Sequence, residues 1–305
     1  MSIWLAALTV ALGAALPAHA LAQESLLPTP VEATSQAVPL FPSRERSRGR
    51  EGWVLVDFTV SDEGLVEDAK IVDSSGSNAF DEATLKALRK WRYDPAPRKT
   101  KSRVLVNFEF DRTYPVLSKR FISRYKRVHE AIDTGDLEKA QDLVDKMRHD
   151  SRLTVFEQAY TNIAAGRVAA GHGDRVEQLR LFRKAMLNRG RWLANSSYRY
   201  LLYSAVVLEI QEEDFASALR DYALLTETAV GREIAADLDE PIRLARSIVD
   251  GDDSITPPFM AADMEVTVRR ERPRGSANSL RSRGHPASSI AEREYQRMIK
   301  PPRQN

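Results

Sequence analysis

The sequence contains no cysteine and only five histidines, and it lacks the short motifs that mark common enzyme classes. Without cysteine, the chain can form no disulfide, thiolate metal site or cysteine nucleophile. The histidines are scattered, and none stands at metal-ligand spacing from another histidine or from a carboxylate. No G-x-S-x-G, Walker A or G-x-G-x-x-G segment occurs. The sequence therefore predicts no catalytic residues, no metal and no cofactor, and it favours a protein that is not an enzyme.

Charge is nearly balanced over the whole chain but is uneven along it. The 45 lysines and arginines only just exceed the 43 acidic residues, yet ten basic and three acidic residues fall within residues 269–305. A polar segment with one dominant sign of charge is typical of chains that bury no core. We predict that residues 251–305 form a basic, largely disordered tail. Such a tail either keeps the protein in solution or contacts anionic lipid or another acidic surface.

The apolar run at the start of the chain predicts export. Residues 3–18 are almost entirely apolar, and Ala20 and Ala22 are the small residues of an A-x-A-like cleavage site. The segment before the run, MSIW, lacks the lysine or arginine that a signal peptide usually carries. An uncleaved anchor needs about 20 apolar residues, which the run only just supplies. We predict a signal peptide over residues 1–22, with an uncleaved anchor as the alternative, and a linker over residues 23–37.

Hydrophobic periodicity then predicts a small mixed domain. A period of two begins at Trp53 and indicates a half-buried strand, and the S-D-E-G turn that ends at Gly64 folds the chain back into a second strand. Gly64 suits a left-handed turn position, and Gly52 ends the arginine-rich turn before the first strand. Residues 78–91 carry apolar side chains at helical spacing, and residues 103–110 alternate again. Together these elements predict a β-β-α-β unit of the α+β class.

Trp91 and Tyr93 lie where the predicted helix must stop, in the stretch LRKWRYDPAP. Trp91 is the last residue of the apolar stripe, so we expect its ring to close the core between helix and sheet. Tyr93 belongs to the exit from the helix, where its ring can pack while its hydroxyl meets water. The prolines that follow prevent the helix from continuing. Both aromatic residues are therefore predicted to be structural.

The order and spacing of these elements resemble the TonB C-terminal domain. The motifs are P-x-aromatic-P, EG-x-V-x-V-x-F, D-x-G-x-V, W-R-[FY]-x-P and the closing strand RVLVNFEF, and they span residues 38–112. The resemblance implies a periplasmic domain whose last strand accepts an extended segment from an outer-membrane receptor. In that family an N-terminal anchor connects the protein to an inner-membrane motor complex. This sequence departs from the pattern because no long proline-rich spacer follows the apolar run.

The resemblance also assigns the binding residues. A free sheet edge offers unpaired N–H and C=O groups to an extended peptide. The peptide-accepting strand of the family falls on Arg103, Val104, Leu105, Val106, Asn107, Phe108, Glu109 and Phe110. The motif near the receptor contacts falls on Pro39, Phe41 and Pro42. We expect Leu105 and Asn107 to lie opposite the core face, so that proline at either position would test binding without emptying the core.

Residues 118–250 show helical periodicity interrupted by turns at regular intervals. The pairs Gly135-Asp136, Gly173-Asp174 and Glu213-Asp214 recur 38 and 40 residues apart. The fragments TGDLEKAQDLV and EDFASALRDY resemble the second helices of tetratricopeptide repeats. We predict an all-α domain of three divergent helical hairpins with a capping helix near residues 241–249. An irregular helical bundle is the alternative.

Three classes of function compete on this sequence. The favoured one is a periplasmic binding module that captures extended peptides by strand addition and is linked to outer-membrane transport. Its partner would be an outer-membrane receptor or another periplasmic protein segment, and we predict no nucleic-acid partner. The second is an energy transducer anchored in the inner membrane by the N-terminal segment, which would also need inner-membrane motor proteins. The third is a periplasmic enzyme whose site assembles only in the fold.

Overall fold

The computed structural model describes residues 33–111, 116–250, 264–270 and 285–286. The predicted signal peptide, most of the linker and most of the basic tail lie outside these ranges. The described residues form an α+β domain followed by a helical domain, as the sequence predicts. None of the helices within these ranges combines the length and the apolar character that crossing a membrane requires.

The first domain is built on three antiparallel strands and one long helix. Its elements are β1 (Ala33–Ser35), α1 (Ser43–Ser47), β2 (Gly52–Val60), β3 (Val66–Ser74), α2 (Asn78–Leu88), β4 (Arg92–Tyr93) and β5 (Thr100–Phe110). Strand β2 pairs with β3 on one side and with β5 on the other, so that Val54 lies opposite Val106. The short strands β1 and β4 pair separately. The β-β-α-β order predicted from periodicity is therefore confirmed.

The tryptophan at the end of α2 is fully buried, but it does not lie in the helix. Helix α2 ends at Leu88, three residues earlier than the apolar stripe predicts, and Trp91 follows after a short turn. Its ring meets Phe58 edge-on at 6.0 Å, and its Nε1 donates a hydrogen bond of 2.9 Å to the carbonyl of Ala37. Trp91 therefore closes the core and also fixes the segment that enters the domain.

Tyr93 is more buried than the sequence predicts. Only 4% of its surface is exposed, and its side chain forms a hydrogen bond with Gln36. Burial raises the pKa of Tyr93 to about 12, although the hydrogen bond with Gln36 acts in the opposite direction. The expectation that its hydroxyl meets water is wrong, because the entering chain covers it. The carbonyl of Tyr93 also lies where a Cβ at Gly64 would stand, and Gly64 has a φ of +80°.

The second domain contains three helical hairpins. Its elements are β6 (Val116–Leu117), α3 (Lys119–Asp133), α4 (Leu137–Arg148), α5 (Val155–Gly171), α6 (Arg175–Ala185), α7 (Asn195–Gln211), α8 (Phe215–Thr226), α9 (Ala229–Ile234) and α10 (Asp239–Asp250), with a 3-10 turn at Ala236–Leu238. The first hairpin is α3–α4, the second α5–α6 and the third α7–α8, and α10 packs against α8. The helical character predicted for this region is confirmed.

The three recurrent turns share one local design. Asp136, Asp174 and Asp214 each precede the second helix of a hairpin, and each side chain accepts a hydrogen bond from the backbone N–H three residues later. The residue before each aspartate has a positive φ, which glycine adopts without strain in two of the three turns. This N-cap chemistry explains why the Gly-Asp or Glu-Asp pair recurs in the sequence.

The helical domain covers the second face of the sheet. Trp53, Leu55 and Leu105 are buried in one hydrophobic cluster with residues of the helical domain. Lys184 on α6 forms a 2.9 Å ion pair with Asp73, and its Nζ lies 5.1 Å from the centre of the Trp53 ring. The half-buried pattern predicted for the first strand is therefore wrong at its beginning, where both faces are covered. Leu105, expected to be replaceable, is 1% exposed and belongs to this core.

Two further strands come from the chain beyond α10. Strand β7 (Met264–Arg270) pairs in parallel with β5, and β8 (His285–Pro286) pairs with β6. The main sheet has the order β3-β2-β5-β7. Residues 264–270 lie in the tail that the sequence predicts to be largely disordered. That prediction is wrong for these residues, because they form a strand paired with β5. Val266 and Val268 give them an apolar side that the sheet edge can bury.

Candidate peptide-binding edge of the sheet

The predicted peptide-accepting strand, Arg103–Phe110, lies within β5, and its outer edge is occupied by β7. The pairing is continuous and runs from Val104 opposite Met264 to Phe110 opposite Arg270. The backbone N–H of Asp111 extends it by donating to the carbonyl of Arg270 at 3.0 Å. The edge that the sequence predicts to be open for a peptide therefore holds an extended segment of the same chain.

The direction of each backbone N–H group shows which amides of β5 face β7. The N–H of Phe110 donates to Glu51, which precedes β2, whereas the next N–H, that of Asp111, donates to β7. Successive backbone N–H groups of a strand point to opposite sides, so the amides of Leu105, Asn107 and Glu109 share the direction of Asp111. Together with the amide of Asp111, these three are donors available to an added strand.

The apolar side of β7 packs on a cluster of aromatic rings. Val268 is 1% exposed and shares a hydrophobic cluster with Phe41, Phe80, Phe108 and Phe110. The ring of Phe41 lies 5.1 Å from that of Phe110. The fold thus brings the predicted receptor-proximal motif to the predicted binding strand. Within that motif Pro39 and Phe41 are buried, and Pro42 is the N-cap residue of α1.

The other side of β7 presents the carboxylate of Glu265 to a group of donors. Asn107 Nδ2 donates to Glu265 Oε1 at 3.0 Å, and Arg191 lies 3.1 and 3.2 Å from the two carboxylate oxygens. The side-chain amide of Asn188, oriented as its neighbours require, donates to the same two oxygens at 2.9 and 2.6 Å. The hydroxyl of Thr267 donates at 2.9 Å. Asn107 is completely buried, so replacing it would disturb this group of hydrogen bonds.

Two of these donors belong to a loop of the helical domain. The connection from α6 to α7 contains nine residues, 186–194, compared with three inside each hairpin. It carries the segment NRGRW, in which Gly190 has a φ of +70° and lies against the ring of Tyr198. This loop is not among the features predicted from the sequence. Its unusual length, together with two arginines and a tryptophan, is the signal that could have identified it.

Glu109 places a second carboxylate beside this group. Its Oε1 accepts a hydrogen bond of 2.8 Å from Trp192 Nε1. The pKa of Glu109 is raised overall, and burial is the main cause. The bond from Trp192 acts against this rise, whereas the neighbouring carboxylates of Glu51 and Glu265 add to it. The positive charge of Arg269 on β7 partly offsets the rise in this pKa. Strand β7 therefore places an acidic side chain, Glu265, and a basic one, Arg269, beside the partly desolvated carboxylate of Glu109.

Two other residues singled out from the sequence, Arg103 and Gly52, make contacts within the sheet domain. Arg103 forms an ion pair with Asp57 on β2, so its side chain is engaged within the sheet. A Cβ at Gly52 would lie 2.7 Å from the ring of Phe80, so only glycine fits there without a shift. Among residues 33–111, 116–250 and 264–270, no group of three or more histidine, aspartate and glutamate side chains is arranged to hold a metal ion.

A separate cleft of about 720 Å³ lies between the two domains. It is lined by α1, the start of α2 and parts of α5 and α6, and its basic residues include Arg44, Arg48, Arg180 and Lys184. None of its lining residues belongs to β5 or β7. This cleft is therefore distinct from the strand edge.

Comparison with known proteins identifies the sheet domain. Residues 37–111 match the family described as the Gram-negative bacterial TonB protein C-terminal. Protein TonB of Escherichia coli K12 is 35% identical over 78 residues, which are 26% of this chain and 32% of that protein. Protein TonB of Salmonella typhimurium is 36% identical over 84 residues, or 28% of this chain and 34% of that protein. The resemblance predicted from the motifs is confirmed.

The similarity covers part of this chain and part of each full-length relative. Protein TonB of Pseudomonas aeruginosa is 37% identical over 57 residues, which cover 19% of this chain and 17% of that protein. The solution NMR structure of the Pseudomonas aeruginosa TonB CTD is 26% identical and covers 28% of this chain and 93% of its own, with a TM-score of 0.26. This chain thus spans about a third or less of the full-length relatives that it matches.

Proposed function

We propose that the TonB C-terminal domain formed by residues 37–111 captures an extended segment of an outer-membrane receptor, or of another periplasmic protein, by strand addition along β5. One observation carries the proposal: β5 accepts a seven-residue parallel strand over residues 264–270. An edge that pairs with one extended segment has the backbone groups to pair with another of similar shape.

The surroundings of the edge favour a selective binding site. Main-chain hydrogen bonds provide affinity that is independent of sequence, and alternate side chains provide specificity. Here the alternate positions meet unlike surfaces, because Val268 contacts aromatic rings whereas Glu265 contacts amide and guanidinium groups. An added strand would therefore need an apolar residue on one side and a polar one on the other.

The same proposal includes export to the periplasm, where an outer-membrane receptor exposes its inner segments. The A-x-A-like site at residues 20–22 supports cleavage after Ala22. The second candidate, a transducer anchored in the inner membrane, is supported by the matches to proteins named TonB. Intact-mass measurement of the native protein separates the two, since a mass corresponding to a chain beginning at Gln23 fits the exported module. A full-length mass in the membrane fraction would instead favour the transducer.

Strand addition can be tested with backbone-modified peptides. Synthetic peptides copied from the periplasm-facing segments of outer-membrane receptors of the same organism would be titrated against the full chain. Each peptide would be made in two forms, with N-methyl groups on either the odd or the even residues. Only alternate amides of an added strand face β5, so one form should lose about tenfold or more in affinity while the other binds like the parent. Equal affinities of the two forms would reject strand addition.

A further inference from the structure

The side chain of Glu265 is held more specifically than pairing of a strand requires. Its two carboxylate oxygens receive hydrogen bonds from Asn107, Asn188, Arg191 and Thr267. Backbone pairing alone would hold β7 with any residue at this position. The additional donors indicate a place on the edge where the identity of one side chain is recognised.

The donors are of the kind that a carboxylate satisfies. With a strand paired at the edge, Asn107 is 0% exposed and Asn188 is 3% exposed, so the paired strand and not bulk water must supply their acceptor. A buried donor left without an acceptor is costly, whereas a charge-assisted bond to an ionised carboxylate is among the stronger hydrogen bonds. Arg191, whose side chain is 55% exposed, adds the positive charge. A basic or apolar residue opposite these groups would leave them unsatisfied, and glutamine would offer one neutral acceptor oxygen in place of two charged ones.

The recognition site is assembled from both domains. Asn107 comes from β5, whereas Asn188 and Arg191 come from the loop between α6 and α7. Trp192 of that loop lies 6.4 Å from Trp53 and donates to Glu109, which fixes the loop against the sheet. The helical domain thus contributes to what the strand edge can bind.

We propose that Asn107, Asn188 and Arg191 form a carboxylate-recognition site that selects extended peptides with glutamate or aspartate at the position opposite Leu105. The inference rests on the proposed function and specifies its partner. Residues 264–270 are the resident ligand of this site, with Glu265 as the recognised residue. The same strand offers Val266 and Val268 to the aromatic side, so the preferred peptide combines one acidic residue with nearby small apolar ones.

An external peptide must compete with this resident strand. A ligand on the same chain acts at a high effective concentration, of the order of millimolar for a short flexible connection. The intact protein should therefore bind an external peptide more weakly than a variant whose own strand is released. Two full-length variants release it in different ways: Val268→Pro disrupts the strand, and Glu265→Lys removes the recognised carboxylate but leaves the aromatic contacts.

The test compares two peptides that differ in one group. MEVTVRR, the sequence of residues 264–270, and MQVTVRR would be titrated against the wild-type chain and against both released variants by fluorescence anisotropy. In both variants we expect MEVTVRR to bind about tenfold or more tightly than MQVTVRR, because only the former supplies the carboxylate. Wild type should bind MEVTVRR at least about tenfold more weakly than either variant does. Adding Arg191→Leu to each variant should reduce the preference for glutamate over glutamine.

The outcomes separate the inference from the function on which it rests. Equal affinities for the two peptides in the released variants would refute carboxylate recognition and leave strand addition intact. Failure of folded Val268→Pro protein, whose own strand is disrupted, to bind either peptide would count against strand addition itself. Wild-type affinity equal to that of both variants would show that residues 264–270 do not compete for the edge. Circular dichroism identifies any variant that has lost its fold.

Discussion

Single side chains in the sheet domain connect segments that are distant in sequence. Trp91 packs against Phe58 within the domain and also holds the carbonyl of Ala37. Its burial follows from the apolar stripe of the helix and was predictable from the sequence. Its hydrogen bond was not, because the partner lies 54 residues away and is a backbone atom that no sequence pattern marks.

We expect Trp91→Ala to lower the free energy of unfolding by about 3 to 5 kcal/mol, because it empties the core beside Phe58. The matched variant Trp91→Phe keeps an aromatic ring but removes the indole N–H, and it should cost about 1 to 3 kcal/mol. Urea denaturation followed by circular dichroism measures both. A midpoint unchanged by Trp91→Ala would show that the ring is not part of the core.

Asp150 is the centre of an arginine cluster at the end of the first hairpin. Burial tends to raise its pKa, but hydrogen bonds from Arg152 and Arg124 outweigh burial and lower the pKa to about 2. Its folded pKa is below the unfolded value, so the ionised carboxylate stabilises the fold above the unfolded pKa. That stabilisation is lost as the pH falls toward the folded pKa.

Asp150→Asn should therefore destabilise the protein at pH 7 by about 1 to 3 kcal/mol, since charge-assisted hydrogen bonds are lost. The difference between wild type and variant should be smaller at pH 3 than at pH 7. Denaturant unfolding at both pH values measures it. A difference that is independent of pH would mean that the carboxylate charge contributes nothing.

At the scale of elements, the sequence predicts the helices and strands that depend on neighbouring residues, but not those that depend on contacts between distant parts of the chain. Periodicity located β2, β3, α2 and β5, and the recurrent Asp N-caps located the hairpins, because each depends on neighbouring residues. Strand β7 depends on pairing with β5 across some 160 residues, and its seven residues stand in a basic segment. The loop that carries Asn188 and Arg191 was missed for the same reason, since its role exists only against the sheet.

The geometry of that loop depends on Gly190. Its φ is +70°, and a Cβ there would lie 2.3 Å from the ring of Tyr198. Gly173 is a matched control, because its φ is +77° but a Cβ would meet nothing within 4 Å. Gly173→Ala should cost about 1 to 2 kcal/mol for the left-handed backbone alone. Thermal or urea unfolding should show a larger loss of stability for Gly190→Ala than for Gly173→Ala. Equal losses would mean that the Tyr198 ring moves aside at no energetic cost.

At the scale of the whole molecule, the two domains act on the same edge of the sheet. The helical domain covers one face of the sheet through Trp53, Leu55 and Leu105, and its loop supplies donors at the edge of β5. The chain beyond α10 returns to fill that edge. The sheet domain, the helical domain and residues 264–270 therefore all meet at this edge.

Residue-resolved hydrogen exchange on the full-length Val268→Pro variant tests strand addition most directly. Alternation along β5 predicts rapid exchange at Leu105, Asn107 and Glu109, whose amides face the vacated edge, whereas Val104 and Val106, which face β2, stay protected. Saturating MEVTVRR should restore protection at the first set and leave the second unchanged. If the peptide restores none of the three amides while the β2-facing amides confirm a folded sheet, β5 does not accept an added strand.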